Sequence, residues 1–346
     1  MSFFVNTAYI CMEMMYNPFI LLFTIWGWFK WLSLSSVIIA GITYLGYLFT
    51  PDWREIVDSK HYYSNWKIRT YLSFPFNIAS RIVGGLASQE LPVWLREPVF
   101  GIFAKLYDCN MEEAIKPDLK AYRSFSEFFN RKLREETRPI SNSPLVSPAD
   151  GIVLHYGKVE DGKIEYVKGH DYDVASFLGD IELTDTDELD LYQVVIYLAP
   201  GNYHAFHSPA RWSASQCRHV PGLLLSVKPS LLCHVPHLFC LNERVVLNGS
   251  WKHGFFSMSA VAATNVGDIV IDAEPNLRTN VLRRRKGKKV ELADVPMCAS
   301  YHSGQRVGEF RLGSTIVLVF QAPPTIKFSI KAGDPLQYGQ SLLAED

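Results

Sequence analysis

Four polar residues sit where apolar runs give way to turns, and their types could do chemistry together. Asp150 lies in SPADG, His204 and His207 in LAPGNYHAFHSPA, and Ser314 in LGST. A carboxylate that orients an imidazole, and an imidazole that takes a hydroxyl proton, turn that hydroxyl into a nucleophile. Ser314 directly follows Gly313, so its oxygen is close to the carbonyl of the peptide bond before it. Glycine there admits backbone angles closed to other residues and leaves room for attack on its own carbonyl. Each residue also has an ordinary reading: Asp150 closing an Asx turn, Ser314 capping a strand, the histidines bonded to backbone in a core. Spacing alone does not show that the four meet.

The elements that must position them read as follows. Ile316, Val317, Leu318, Val319 and Phe320 are apolar at every position, the pattern of a strand buried on both faces, and Ser314 stands at its entrance. From residue 144 to 346, short β-branched runs alternate with Gly, Pro, Asn and Asp turns, the texture of hairpins. Residues 51–143 read as helical, with apolar residues three and four apart. Ile78, Ile82, Val83 and Leu86 share one face, Val99, Ile102, Phe103 and Leu106 another, and Pro92 and Pro98 are expected to break the pattern. Such helices suit either a lipid surface or the domain behind them. SFSEFFNRKLREETRPI reads as one helix capped by Ser124, with Glu127 completing a capping box, and ending before Pro139. The expected class is α+β: N-terminal transmembrane and amphipathic helices, then a mainly antiparallel β domain.

The first fifty residues are a membrane anchor by composition. The uncharged run Trp31–Phe49 would form a helix of roughly 28 Å, close to the hydrocarbon thickness of a bilayer. Trp26, Trp28, Trp31, Tyr44 and Tyr47 suit its interfaces. A cleaved signal peptide fits less well, because no basic stretch precedes the run, and an Arg-rich transit peptide is absent too. Arg54, Lys60, Lys67 and Arg69, against Asp52, Glu55 and Asp58, would hold the C-terminal side in the cytoplasm or matrix, but a folded domain can outvote a few cations, so the orientation of the span stays open.

The whole chain, 346 residues with a formal net charge of −1, gives no bulk electrostatic reason to bind nucleic acid. Six scattered cysteines make no compact disulfide framework. Cys217, His219, Cys233, His234, His237 and Cys240 form a loose cluster without the paired spacing of a zinc knuckle, so no metal is assigned. The run Arg283–Lys289 is a cationic loop, either solvated or set against anionic headgroups. The sequence has no GxSxG elbow, HExxH, GxGxxG or P-loop.

Together, SPADG, YLAPGNYHAFH, VPGLLLSVKP, LFCLNERVVL, VAATNVGDI and GQRVGEFRLGSTIVLVFQAP resemble the phosphatidylserine decarboxylase family of pyruvoyl-dependent proenzymes. Phe128-Phe129-Asn130-Arg131 and Arg138-Pro139-Ile140 are similar to the segment that precedes the family's core, so the resemblance spans roughly residues 122–340. It implies self-cleavage between Gly313 and Ser314, leaving chains 1–313 and 314–346 as one folded heterodimer. It implies that His207 deprotonates Ser314 while Asp150 holds the ring. Ser314 then becomes a covalent pyruvoyl cofactor that forms a Schiff base with phosphatidylserine, releasing CO2 and phosphatidylethanolamine. His204 is expected to deliver the proton that replaces CO2, although His207 could serve both steps. The position after Pro221-Gly222, often acidic in the family, is Leu223 here. Members with one N-terminal span resemble enzymes of the mitochondrial inner membrane, with membrane lipids as further partners. Two other readings remain open: a lipid-directed serine hydrolase using Asp150, His207 and Ser314, and a non-catalytic membrane scaffold.

Overall fold

The computed structural model describes residues 65–344, except 168–169, 182, 185–187, 233, 266–267 and 282–292, together with positions 41 and 44. Apart from positions 41 and 44, the expected span Trp31–Phe49 lies outside the described residues, as do the basic run Arg283–Lys289 and Cys233. Among the described residues no helix is long and apolar enough to cross a membrane. Residues Phe49–Asp346 belong to one compact unit.

Helices come first: α1 (Trp66–Leu72), α2 (Phe76–Ala87), α3 (Val93–Leu106) and the short α4 (Phe125–Phe129). Strands follow: β1 (Gly151–Lys158), β2 (Lys163–Val167), β3 (His170–Asp173), β4 (Asp190–Leu198), β5 (Ala205–His207), β6 (Trp212–Val220) and β7 (Arg244–Trp251). The chain then makes β8 (Gly254–Ala262), β9 (Ile269–Ile271), β10 (Ala293–Tyr301), β11 (Arg306–Phe310), β12 (Ser314–Ala322) and β13 (Pro335–Leu336). The expected order, helices and then an antiparallel β domain, is what the described residues adopt.

The main sheet has eight strands in the order β10-β6-β7-β8-β12-β4-β1-β13, and its pairs run antiparallel. β12 is buried at every position, as its apolar run requires, between β4 and β8. Its register sets Ser314 opposite both Leu198 and Ala262. Burying each of its large side chains contributes roughly 2 kcal/mol, so this strand anchors the sheet. A second sheet, in the order β5-β11-β9, carries the His207 strand beside the strand that leads to Gly313.

Two helical expectations need correction. Pro98 does not break the pattern but sits inside α3. The carbonyl it leaves without an amide partner belongs to Trp94, which is exposed, so water can take that bond. The segment after Ser124 does not continue to Pro139. It stops at Phe129, and only a single turn, Glu135–Thr137, follows. Tertiary partners override the helical pattern: Asn130 Nδ2 donates to Phe310 O at 2.7 Å, Arg131 Nη2 to Gly201 O, and Leu133 pairs with Ala114 as an isolated bridge. The cap at Ser124 is present, accepting the Glu127 amide at 3.2 Å. However, the Glu127 carboxylate returns to Arg123 N–H, one residue before the box position.

α2 is inverted relative to an ordinary surface helix. Its buried residues are Asn77 and Ser80, which bind Gly222 O and the Asn265 amide, whereas Ile82, Val83 and Leu86 are exposed. On α3, Val93, Trp94, Ile102 and Leu106 are exposed as well.

Candidate active site

Local structure brings two of the four sequence candidates, Asp150 and His207, to one neighbourhood. The His207 amide donates to Pro148 O at 2.7 Å, which fixes β5 against the SPADG turn that carries Asp150. Tyr338, in the turn after β13, joins the two residues. Its amide donates to Asp150 Oδ1 at 2.9 Å, and its ring stacks on that of His207 at 3.9 Å with a 4° tilt. His204 reaches the start of the cleavage segment through backbone, its carbonyl accepting from Phe310 N–H. A cavity of about 500 Å³ opens onto His207, Tyr203, Tyr338, Arg138, Arg306 and Glu309.

The Asp150 carboxylate does not bond the imidazole. It accepts Arg138 Nη2 at 2.7 Å and Arg138 Nε at 3.2 Å, and the same guanidinium reaches Glu113 at 2.6 Å. Burial works against the Arg138 charge, and its bonds to the two carboxylates more than offset this, so its pKa is raised. His207 Nδ1 lies 2.8 Å from Gly304 O, an acceptor only, so Nδ1 carries the proton. Nε2 then accepts from the Tyr203 hydroxyl at 3.3 Å. Burial pushes the His207 pKa down to about 4, opposed by its Gly304 bond and the Asp150 charge and assisted by Arg306. Asp150 thus reaches His207 through charge and Tyr338 rather than through a direct bond.

His204 is fully buried. Its Nδ1 donates to Asn202 O at 2.8 Å, its ring lies 4.2 Å from that of Phe129, and Nε2 has no hydrogen-bond partner. Burial pushes its pKa down to about 3, so the ring is neutral with a bare acceptor at Nε2. Ser314 Oγ is buried and also has no partner. No hydrogen bond joins Ser314 to either imidazole, so neither this contact nor the one between Asp150 and His207 is made directly.

The chain just before Ser314 is unusual. Leu312 has φ +85° and Gly313 has φ +49°. A glycine takes a left-handed angle without penalty, but a leucine is strained there by about 1–3 kcal/mol. Apart from its chain neighbours, nothing lies within 4 Å of where a Cβ on Gly313 would stand, so the space beside its Cα is open.

Arg138, Tyr203 and Tyr338 belong to the site without a motif of their own to mark them. In the sequence Arg138 falls within a segment similar to the family's, and Tyr203 adjoins His204 with no separate signal. No local pattern marks Tyr338, which meets His207 only through the fold. Elsewhere, the thiol–imidazole cluster disperses. His219 pairs with Glu243 at 2.8 Å, and burial pushes the thiols of Cys217 and Cys240 up to about 12 and about 11. Among the described residues no group of three or more His, Cys, Asp or Glu side chains could hold a metal. Leu223 is fully buried, with backbone bonds to Leu241 and Glu243, which accounts for an apolar residue at that position.

The sequence profile of a family described as phosphatidylserine decarboxylase matches residues 125–344, from α4 to the end of the described chain. That is more than half of the protein, and the chain belongs to the phosphatidylserine decarboxylase family, whose members are carboxy-lyases. Among its relatives is the mitochondrial phosphatidylserine decarboxylase proenzyme of Caenorhabditis elegans, 76% identical over 319 residues, covering 92% of this chain and 84% of the relative. The mitochondrial proenzyme of Cricetulus griseus is 43% identical over 309 residues, 81% of this chain and 74% of the relative. Proenzyme 1 of Saccharomyces cerevisiae is 32% identical over 381 residues, covering 82% and 75%. The expected family is therefore the observed one, and the activity is decarboxylation of phosphatidylserine.

Proposed function

We propose that the chain cuts itself between Gly313 and Ser314 and that residue 314 becomes the pyruvoyl group on which phosphatidylserine is decarboxylated. The observation that carries this reading is a buried hydroxyl with no partner at the entrance of the central strand, just after two left-handed residues. Ser314 Oγ attacks the Gly313 carbonyl, and its proton passes to His207 Nε2 as the long Tyr203 bond gives way. The C–N bond breaks, the Ser314 nitrogen takes a proton, and an ester remains. Elimination removes the Ser314 Cα proton and expels the Gly313 carboxylate. The dehydroalanine left behind tautomerises and loses ammonia to water.

The pyruvoyl group so formed supplies an electrophilic carbonyl and an electron sink. The residues present fit it, because β12 would hold the new N-terminus buried between β4 and β8. His204 Nε2, bare and aimed at no other group, takes up a proton and returns it to the substrate carbon that has lost CO2. Residues 1–50 serve as a membrane anchor, 51–143 as the membrane-proximal helices, and 144–346 as the catalytic domain. The outward apolar residues of α2 and α3 support seating on membrane lipid, since a soluble surface gains nothing from exposing Trp94, Ile102 and Leu106. The relatives named as mitochondrial support a mitochondrial location, within which the inner membrane is the surface proposed.

The intact mass of purified protein under denaturing conditions tests the reading. Two pieces are expected, with the smaller, 314–346, lighter than a serine-headed fragment by one ammonia. Active material that is a single unbroken chain would sink the proposal.

Two further outcomes are expected. Self-cleavage needs a neutral His207, and its pKa is held near 4. The rate at which freshly made chain yields the small fragment should therefore be level from pH 8 to about pH 5 and fall below about pH 4; a fall centred at the ordinary histidine value, about 6.5, would contradict the buried environment. Asp150→Asn should stop cleavage and destabilise the fold by about 3–5 kcal/mol, since it breaks a buried ion pair. Glu113→Gln removes the outer partner of Arg138 but leaves Asp150 in place, so it should still cleave. Comparing the two on a denaturing gel separates the role of Asp150 from that of the pair as a whole.

A further inference from the structure

A second cavity, of about 340 Å³, lies outside the His207 pocket and against the cleavage segment. Arg81 of α2, Ser126 of α4, Asp268, Arg278, Arg311 and Leu312 line it. Three arginines and one aspartate line it, and two of the arginines approach that carboxylate. Asp268 approaches Arg278 at 3.4 Å and Arg311 at 3.6 Å, and its other oxygen is taken by the amide and hydroxyl of Thr279. Arg81 spends Nε on Asn280 O and Nη2 on Val281 O, which leaves Nη1 buried with no partner. A cavity lined by three arginines and one aspartate carries a net positive charge, which suits an anion.

The position selects the anion. Leu312 is one residue from Gly313, so the cavity adjoins the peptide bond proposed to be cut. α2 supplies Arg81 to the cavity, while the same helix exposes Ile82, Val83 and Leu86. An apolar face and a cationic recess therefore share one helix, beside residue 314. We infer that this recess binds the phosphodiester of the substrate headgroup, with the acyl chains left on the apolar face of α2. In phosphatidylserine only a few bonds separate the amine from the phosphate, so an anchor on the phosphate would set the amine beside residue 314. This inference rests on the proposed role of residue 314. It adds a substrate contact made by Arg81, Arg278 and Arg311.

The test uses the full-length chain and two substitutions, Arg278→Gln and Arg311→Gln. Cleavage is followed by the appearance of fragment 314–346. KM is measured with phosphatidylserine in vesicles and with a short-chain, monomeric phosphatidylserine, and inhibition with glycerophosphoserine and with inorganic phosphate. Loss of one charge-assisted bond should raise KM for both substrates about tenfold, with kcat changed much less. The inhibition constant of glycerophosphoserine should rise in parallel, and inorganic phosphate should inhibit more weakly than glycerophosphoserine. Arg278 has a largely exposed side chain, so if Arg311→Gln fails to cleave, the Arg278→Gln chain alone decides. Unchanged KM and inhibition constants in cleaved Arg278→Gln would overturn the assignment. So would a rise confined to vesicles, which would mark simple attraction to an anionic surface. Equal inhibition by inorganic phosphate and glycerophosphoserine would overturn it too, by making the recess a general phosphate site. A wild-type chain that neither cuts itself nor releases CO2 would instead sink the reading of residue 314.

Discussion

Ser314→Ala should run as one unbroken polypeptide and release no CO2 from phosphatidylserine, while folding as well as the unaltered chain. The three results together are what make the substitution informative. Ser314 Oγ is buried and makes no hydrogen bond, so deleting it removes an unsatisfied polar group rather than a contact. Such a change is close to neutral or mildly stabilising. Backbone pairing to Leu198 and Ala262 does not depend on the hydroxyl. A melting temperature within a few degrees of the parent, with an uncleaved band and no activity, would therefore assign the loss to chemistry. If the substituted chain were to keep its decarboxylase activity, residue 314 could not be the source of the electrophile.

The histidine pair gives the second large effect. His207→Ala should leave the chain uncut, because it removes the imidazole that feels the Asp150 charge and stacks on Tyr338. His204→Ala should cut normally but turn over substrate about 10²–10⁴-fold more slowly, the usual value of a positioned proton donor. The geometry makes this comparison a sharp one. His207 has both ring nitrogens engaged, whereas His204 Nε2 and Ser314 Oγ are both buried and both unpartnered. Should His204→Ala stay uncut and His207→Ala be processed, the two imidazoles exchange roles and His204 becomes the base that serves Ser314. Gel analysis of freshly made chain, followed by a CO2 assay on whatever is cut, distinguishes the outcomes.

What could be read in the sequence follows from how local each determinant is. β12 was legible because five successive apolar residues leave no polar face, and a strand with no polar face must lie inside a sheet. The Ser124 cap was legible because a cap is a short-range hydrogen bond. The end of α4 was not, since Asn130 and Arg131 leave the helix to reach Phe310 and Gly201, far along the chain. The candidate residues Asp150, His207 and Ser314 carry recognisable chemistry, but their partners do not. Arg138 binds Asp150 across a tertiary contact, and Tyr338 meets His207 only once β13 has paired with β1. The recess around Arg81 combines α2, α4 and the segments flanking β9 and β11, so no window of sequence contains it.

The place of β12 bears on how such an enzyme ages. A fragment beginning at Ser314 would hold the middle strand of the main sheet and, through Tyr338, one hydrogen bond to Asp150. It could not be drawn out and replaced without opening the interior, because both of its edges are zipped to neighbours that belong to the larger piece. Each molecule would therefore make its reactive group once, in place. Reduction of that group would be permanent, and lost capacity could be restored only by synthesising new protein.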